Sequence, residues 1–254
     1  MHLLGREVKT FTPLDTLIAP IVRPVSLVTL GPSAKDYDWD KLKERGRMIV
    51  AVSGGATFLR ERGITPELLV VSDPEFSKAA GYHLDSAPGT PLAIEYRAAA
   101  ALHKHFPETL LDRSVAAIER VNKWYGVPAF TTAELKLANA SSGSPFMISE
   151  VRDGLGRIGW SDRIEFGFFP SSTVAFVALQ ILIARGAKDI EIIGMDLGGG
   201  NSLYSDTGPN RLAEQFERVI CPSFQSMRTA IAGRGIRIKN ISPACPLPPD
   251  IFQS

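Results

Sequence analysis

Side chains able to bind a nucleotide follow two predicted strands directly. Gly31, Pro32 and Ser33 come after the first strand, and Ser53 and Gly54 come after the second. Glycine lets backbone amides approach a phosphate or a ribose, and serine adds a hydroxyl donor. Each turn is therefore typical either of a tight connection or of a nucleotide-binding turn. Neither turn continues into a Walker motif or a dinucleotide-binding glycine fingerprint.

A third polar group precedes the long apolar run from Val174 to Ala184. Ser171, Ser172 and Thr173 stand at the predicted start of this helix. A helix N-terminus offers free amides and a positive dipole end, which together suit an anion. One hydroxyl residue is enough for an N-cap, so three of them indicate either a cap with incidental neighbours or an anion site.

Three more side chains are candidates for catalysis. Asp73 and Asp196 lie at strand exits, where a carboxylate can orient a sugar hydroxyl, act as a base or bind a metal ion. Either aspartate is equally compatible with capping its turn. Tyr204 lies in a glycine-rich loop and has a phenol that can donate to a leaving phosphate or pack on the rim of a site.

Alternating strands and helices must position these residues. The apolar patterns predict strands at 26–30, 48–52, 68–71, 91–95, 190–193 and 236–239, and helices at 36–45, 56–62, 97–105, 174–184, 209–220 and 222–232. Successive strand-turn-helix units predict an α/β fold with a doubly wound, mostly parallel, Rossmann-like sheet. We expect the polar turns to face one crevice at its carboxyl edge.

The domain organisation follows from where the pattern weakens. Residues 1–106 and 168–254 are predicted to be two parts of one nucleotide-binding α/β domain. Between them, glycines and prolines interrupt any long period over 107–167, which favours a smaller, variable, lid-like insert.

Charge and composition exclude several classes of function. The 254 residues include 28 basic and 27 acidic side chains, so the net charge is close to zero. We therefore expect no general affinity for nucleic acid. Cys221 and Cys245 form neither a disulfide framework nor a zinc motif, which predicts reduced thiols in a cytoplasmic protein. Residues 1–12 lack the apolar core of a signal peptide. The apolar segment 17–22 is expected to cover the core, with contact to a lipid surface as the alternative.

The order and spacing of the motifs resemble bacterial glycosyltransferases that use CMP-activated ulosonic acids. The resemblance is carried by Leu30-Gly31-Pro32-Ser33, Ile49-Val50-Ala51-Val52-Ser53-Gly54, Val70-Val71-Ser72-Asp73, Ser171-Ser172-Thr173-Val174-Ala175 and Ile193-Gly194-Met195-Asp196-Leu197. Within that group the chain is most similar to enzymes that add a further 3-deoxy-D-manno-octulosonic acid (Kdo) to the lipopolysaccharide inner core. It is more distantly similar to bacterial sialyltransferases, and the resemblance implies a glycosyltransferase-A-like variant of the fold.

The resemblance also implies a site. The residues implied to contact the cytidine nucleotide of the donor CMP-Kdo are Gly31, Pro32, Ser33, Ser53 and Gly54. Ser171, Ser172 and Thr173 would hold the nucleotide or the sugar carboxylate, and Tyr204 would assist departure of the CMP phosphate. Ser242 would belong to a cytosine-side loop. No cofactor is required, although Mg²⁺ is compatible with the site. The implied partner is a lipopolysaccharide core acceptor, met by transient contact with the inner-membrane surface.

Two departures from that pattern affect the expected chemistry. Ser53 stands where relatives usually have asparagine, and no histidine follows His105 to match the sialyltransferase base. Asp73 or Asp196 is left as the base, unless the acceptor is activated without a strong one.

Two other functions remain open. One is magnesium-dependent pyrophosphoryl transfer to a pterin, which uses a distantly similar fold and needs basic residues on the phosphates. Lys35 is the one cation expected beside the polar turns, which disfavours ATP. The other is a nucleotide-binding module without turnover, suggested by the missing histidine.

Overall fold

The computed structural model describes residues 2–3, 6–7, 13–75, 87–110, 113–124, 126–152, 156–197 and 211–252. Its strands are β1 His2–Leu3, β2 Arg6–Glu7, β3 Val25–Val28, β4 Met48–Val52, β5 Leu68–Val71, β6 Leu92–Glu95, β7 Val115–Ile118, β8 Phe146–Arg152, β9 Gly156–Ser161, β10 Asp189–Ile193 and β11 Arg237–Asn240. Its α-helices are α1 Leu14–Leu17, α2 Trp39–Glu44, α3 Gly55–Arg60, α4 Tyr96–His105, α5 Thr132–Ala140, α6 Val174–Ala184, α7 Arg211–Gln215 and α8 Cys221–Ile231. A π-helical turn, Phe216–Ile220, joins α7 to α8.

Seven parallel strands form the central sheet, in the order β11-β10-β3-β4-β5-β6-β7. From β3 the chain adds neighbours in one direction as far as β7. It then returns to place β10 on the other side of β3, so the strand order reverses between β3 and β10. This confirms the predicted α/β fold with a doubly wound, parallel sheet. Open sheets of this kind bind ligands at such a switch point, beyond the carboxyl ends of the strands.

Both faces of the sheet are covered. Successive side chains of each strand point to opposite faces, so the inner strands contribute to two core clusters. Leu27 and Val50 belong to the core cluster that contains α6 and α8. Val28 and Ala51, one residue further along each strand, belong to the cluster that contains α2, α3 and α4. The inner strands β4 and β5 are apolar throughout, as expected for strands covered on both faces.

Helix α6 lies inside the core, and its one polar side chain, Gln180, is fully buried. The Gln180 amide accepts hydrogen bonds from the backbone N–H groups of Phe169 (3.0 Å) and Ser161 (3.2 Å). Its nitrogen donates to the carbonyl oxygen of Phe169 at 2.9 Å. Gln180 thereby fixes the segment that leads into Ser171.

The region 107–167 contributes to the sheet as well as lying outside it. Strand β7 pairs with β6 along four residues and forms one edge of the sheet. Helix α5 starts at a capping box, in which the side chains of Thr131 and Glu134 bind backbone N–H groups at the helix start. Strands β8 and β9 form an antiparallel hairpin that packs against α8. Part of the predicted insert is therefore an element of the main sheet.

Other expectations concern the surface. Ile18 and Ile21 are buried, as expected for a segment that covers the core, whereas Val22 is 95% exposed. Cys221 and Cys245 are both free. Among the helices that the structure describes, none is long and apolar enough to cross a membrane.

Replacing Gln180 by leucine is expected to lower the free energy of unfolding by about 2 kcal/mol or more. The change would leave backbone groups of Phe169 and Ser161 buried without partners, and each such group costs about 1–3 kcal/mol. Urea unfolding measures the effect. Gln225→Leu, the same substitution at an exposed position of α8, serves as the control and should change stability by less than about 0.5 kcal/mol. Equal effects of the two substitutions would contradict this role of Gln180.

Candidate functional site

The ends of β3 and β10 are joined by backbone contacts at the switch point. The Gly31 N–H donates to the carbonyl oxygen of Gly194 at 2.7 Å. A Cβ atom on Gly31 would lie 2.3 Å from that oxygen and 2.3 Å from Oδ2 of Asp196. Real Cβ atoms do not approach other atoms so closely, so only glycine fits between the two strand ends.

Asp196 holds the turn that follows β3. Its Oδ2 accepts the Ser33 N–H at 2.8 Å, and its Oδ1 accepts the Ser33 hydroxyl at 2.5 Å. Asp196 is 4% exposed. Pro32 begins the 3₁₀ turn, Pro32–Asp36, that carries Ser33. Because both carboxylate oxygens are engaged, this geometry favours Asp196 as the residue that shapes the turn rather than as a base.

The turn after β4 is held in an uncommon backbone conformation. Ser53 has φ of +48°, in the left-handed region that non-glycine residues rarely adopt, and its N–H donates to the Val70 carbonyl at 3.0 Å. Gly54 is buried beside it. Ser172 (φ +62°) and Leu197 (φ +52°) share this conformation. Such strain tends to gather at functional sites, and here all three residues follow a strand end or precede α6.

The three hydroxyl residues before α6 have different surroundings. Thr173 is the N-cap, and its Oγ1 accepts the Ala175 N–H at 3.3 Å. Ser172 is exposed. Ser171 is 1% exposed, and its hydroxyl makes no hydrogen bond to any residue that the structure describes. The cap accounts for Thr173 alone and leaves the buried Ser171 hydroxyl without a structural partner.

The segment after β11 packs against the exit of β10. The Asn240 side chain donates to the Met195 carbonyl at 3.2 Å and accepts the Ser242 N–H at 3.2 Å. The Ser242 hydroxyl is buried and, within the described chain, has no hydrogen-bond partner. Burial raises the pKa of the nearby Cys245 thiol, and the Asp196 charge adds to that rise. Ser242 is thus brought to the same switch point as Asp196.

Two predicted catalytic residues are not brought to the switch point by these contacts. Asp73 is exposed, and its Oδ1 accepts the Glu75 N–H at 2.9 Å in a local turn, which favours the turn-capping interpretation. Tyr204 lies outside the described residues. Among the residues that are described, no three His, Cys, Asp or Glu side chains are grouped so that they could hold a metal ion.

A charged cluster at the exits of β6 and β7 escaped the sequence prediction. Arg97 donates to Oε1 of Glu95 at 2.8 Å, and Nε of Arg120 lies 3.4 Å from the same oxygen. These two arginines lie at the exits of β6 and β7, away from the polar turns beside which Lys35 is the one expected cation. The sequence carried a signal for Glu95 and Arg97, since both flank the predicted end of a strand. Arg120 had none, because β7 itself was missed.

Two cavities lie near the exits of β6 and β7 and along β7. One of about 290 Å³ is lined by Glu95, Tyr96, Arg97, Glu119, Arg120 and Lys123. A larger one, of about 370 Å³, runs along the edge strand β7 and is lined in part by Asp15, Trp124 and Arg185. The switch point is the candidate site, because buried hydroxyls without partners and turns with positive φ lie there.

Comparison with solved structures places the fold among glycosyltransferases. The MAf glycosyltransferase from Magnetospirillum magneticum AMB-1 is 12% identical with a TM-score of 0.51; the match covers 89% of this chain but 32% of that one, so this chain spans about a third of its length. The sialyltransferase CST-II with a trisaccharide acceptor and CMP is 14% identical (TM-score 0.47; 91% and 88% covered). CstII from Campylobacter jejuni with CMP-3FNeuAc is 13% identical (TM-score 0.45; 92% and 89% covered). No family model and no curated protein matches the chain.

The bond between Ser33 and Asp196 is expected to appear as a coupling energy in a double-mutant cycle. Ser33→Ala and Asp196→Ala should be non-additive in urea unfolding, by about 1.5–3 kcal/mol, because hydrogen bonds to a charged group contribute that much. Ser33→Ala combined with Asp250→Ala, whose carboxylate pairs with Arg228 on the surface, is the control and should be additive. Additivity in both pairs would show that Asp196 does not hold the turn.

Proposed function

We propose that this protein is a glycosyltransferase that uses a CMP-activated ulosonic acid. The observation that carries the proposal is the meeting of the Gly31–Ser33 turn with Asp196 at the topological switch point. These contacts hold the Gly31–Ser33 turn at the carboxyl edge of the sheet. Open α/β sheets bind their ligands at this edge, beside the switch point. The fold shared with the MAf glycosyltransferase supports the same class of protein.

Donor and acceptor follow from the resemblance of the motifs. The donor proposed is CMP-Kdo, with the cytidine on the Gly31–Ser33 and Ser53–Gly54 turns and on the loop of Ser242. The acceptor proposed is the lipopolysaccharide inner core, reached from the cytoplasmic face of the inner membrane by transient contact. The donor is a substrate, and the proposed reaction needs no resident cofactor.

The start of α6 is proposed to receive the donor's negative charge. Ser171 has a buried hydroxyl whose hydrogen is not engaged by any described residue, and it lies beside the positive end of an eleven-residue helix. As the bond from the sugar to CMP stretches, charge grows on the departing phosphate. Donors already oriented in a water-poor site stabilise that charge most effectively. Tyr204 is proposed to assist the same departure.

The acceptor's proton needs a separate destination. Asp196 is occupied by Ser33, and the described contacts do not bring Asp73 to the switch point, so activation of the acceptor without a strong base is proposed. Asp73 is exposed, and one of its oxygens is engaged in its turn. Departure of CMP ahead of acceptor attack would make a weak base sufficient, because an oxocarbenium-like centre accepts a neutral hydroxyl.

Ligand-induced stabilisation tests the nucleotide class. CMP is expected to raise the unfolding temperature without magnesium, since a ligand that binds only the folded state stabilises it by RT ln(1 + [L]/Kd). CDP, UMP, GDP and ATP with and without Mg²⁺ are the comparison set. Stronger stabilisation by ATP with Mg²⁺ would instead favour pyrophosphoryl transfer. CMP binding without CMP release from CMP-Kdo in the presence of lipopolysaccharide core would indicate a module without turnover.

Ser171→Ala is expected to separate function from stability. Removing a buried, unpartnered hydroxyl should leave the free energy of unfolding unchanged or raise it by about 1 kcal/mol. Turnover should fall by about 100-fold, the typical loss when one preorganised donor is removed. Ser223→Ala is the control, because the buried Ser223 hydroxyl donates to the Val219 carbonyl at 2.7 Å; stability should fall and turnover should not. Normal turnover in Ser171→Ala would overturn this assignment.

A further inference from the structure

We propose that the cavity of about 290 Å³ at the exits of β6 and β7 is a second anion site, which binds a carboxylate or phosphate group. Its three cationic lining residues are Arg97, Arg120 and Lys123. We call this the β6/β7 anion site. Assigning it to an acidic group of the acceptor rests on the proposed function, whereas the binding itself does not.

Of the two carboxylates that line the cavity, Glu95 is already committed. Glu95 is 3% exposed; its Oε2 accepts the Ala98 N–H at 3.0 Å and so caps α4, while its Oε1 accepts Nε of Arg97. Arg120 lies 3.4 Å from that same Oε1, and its buried Nε–H makes no hydrogen bond to any described residue. Two guanidinium groups therefore share one carboxylate, and the Nε–H of Arg120, a residue that lines the cavity, is left without a hydrogen bond in the described part of the chain.

Cations outnumber carboxylates in the cavity lining, where Arg97, Arg120 and Lys123 stand against Glu95 and Glu119. Burial lowers the pKa of the Arg120 guanidinium, and repulsion from Arg97 lowers it further, against attraction from Glu95 and Asp73. The Arg120 side chain is 30% exposed, and a ligand that supplies the opposite charge would offset the cost of its partial burial. Glu119 lines the cavity as an opposing acid. A planar carboxylate or a phosphate matches the paired donors of a guanidinium.

The location separates this site from the switch point. Three strand spacings lie between β3 and β6, which is about 14 Å at the usual separation of neighbouring strands. Both places are at the carboxyl edge of the sheet. A donor nucleotide at the switch point therefore leaves the β6/β7 anion site open for a group on a second molecule.

Titration with inorganic phosphate and with acetate, followed by NMR of the arginine Nε–Hε signals, tests the site. The Arg120 signal is assigned by its loss in Arg120→Lys. We expect a saturable shift of this signal, with the tighter of the two anions identifying the group as phosphate or carboxylate. Arg97→Gln and Lys123→Gln should each weaken binding by about tenfold, the loss expected for one charge-assisted hydrogen bond. Arg97 is 58% exposed at its side chain, so its variant is expected to fold.

Arg228→Gln is the matched control, since Arg228 also pairs with a carboxylate, Asp250, but lies on the surface of α8. Its anion affinity should equal that of the unaltered protein. Shifts that rise linearly with anion concentration, or equal affinities in all variants, would overturn the proposal. Repeating the titration with saturating CMP distinguishes the two proposals. Failure of CMP to bind would contradict the nucleotide assignment alone. Loss of anion binding in the presence of CMP would mean that the anion belongs to the donor and would overturn the second site.

Discussion

The hydrogen bonds from Ser33 to Asp196 are the constraint on which the crevice depends. At a switch point the chain leaves β3 and β10 in opposite directions, so a gap opens between their exits. The Asp196 carboxylate closes the base of that gap, and Gly31 allows the two strand ends to touch. The segment that carries Ser242 is attached to the same junction, through the bonds of Asn240 to Met195 and Ser242.

The sequence predicted the frame well where apolar runs and caps agreed. The bounds of β4, β5 and α6 match their predicted ranges. The two strands are continuous apolar runs, and α6 is apolar apart from Gln180. Strand β7, with the sequence Val-Ala-Ala-Ile, was missed. It is short, rich in alanine and covered on one face only, and its place is set by pairing with β6 rather than by its own propensity.

The site was predictable as a set of turns but not as a set of roles. Ser33 and Asp196 are 163 residues apart, and nothing local indicates that each satisfies the other. Likewise the isolation of the Ser171 hydroxyl depends on the fixed path of Phe169, which Gln180 holds from within the core. Arg120 was not predicted as a site residue because strand β7, which leads to it, was not predicted. Long-range hydrogen bonding thus decides which of several equally polar residues is free to meet a ligand.

Several features that lower the stability of the fold lie at the carboxyl edge of the sheet, which indicates that this edge serves a function. Buried hydroxyls without partners, at Ser171 and Ser242, each cost about 1–3 kcal/mol. Left-handed backbone at Ser53 and Ser172 costs a similar amount at each residue. Such penalties are large beside a total stability of about 5–15 kcal/mol, and alanine or glycine would remove them without harm to the core. A ligand that accepts those hydroxyl hydrogens and fits those turns gives a physical reason for the unpaired groups to remain.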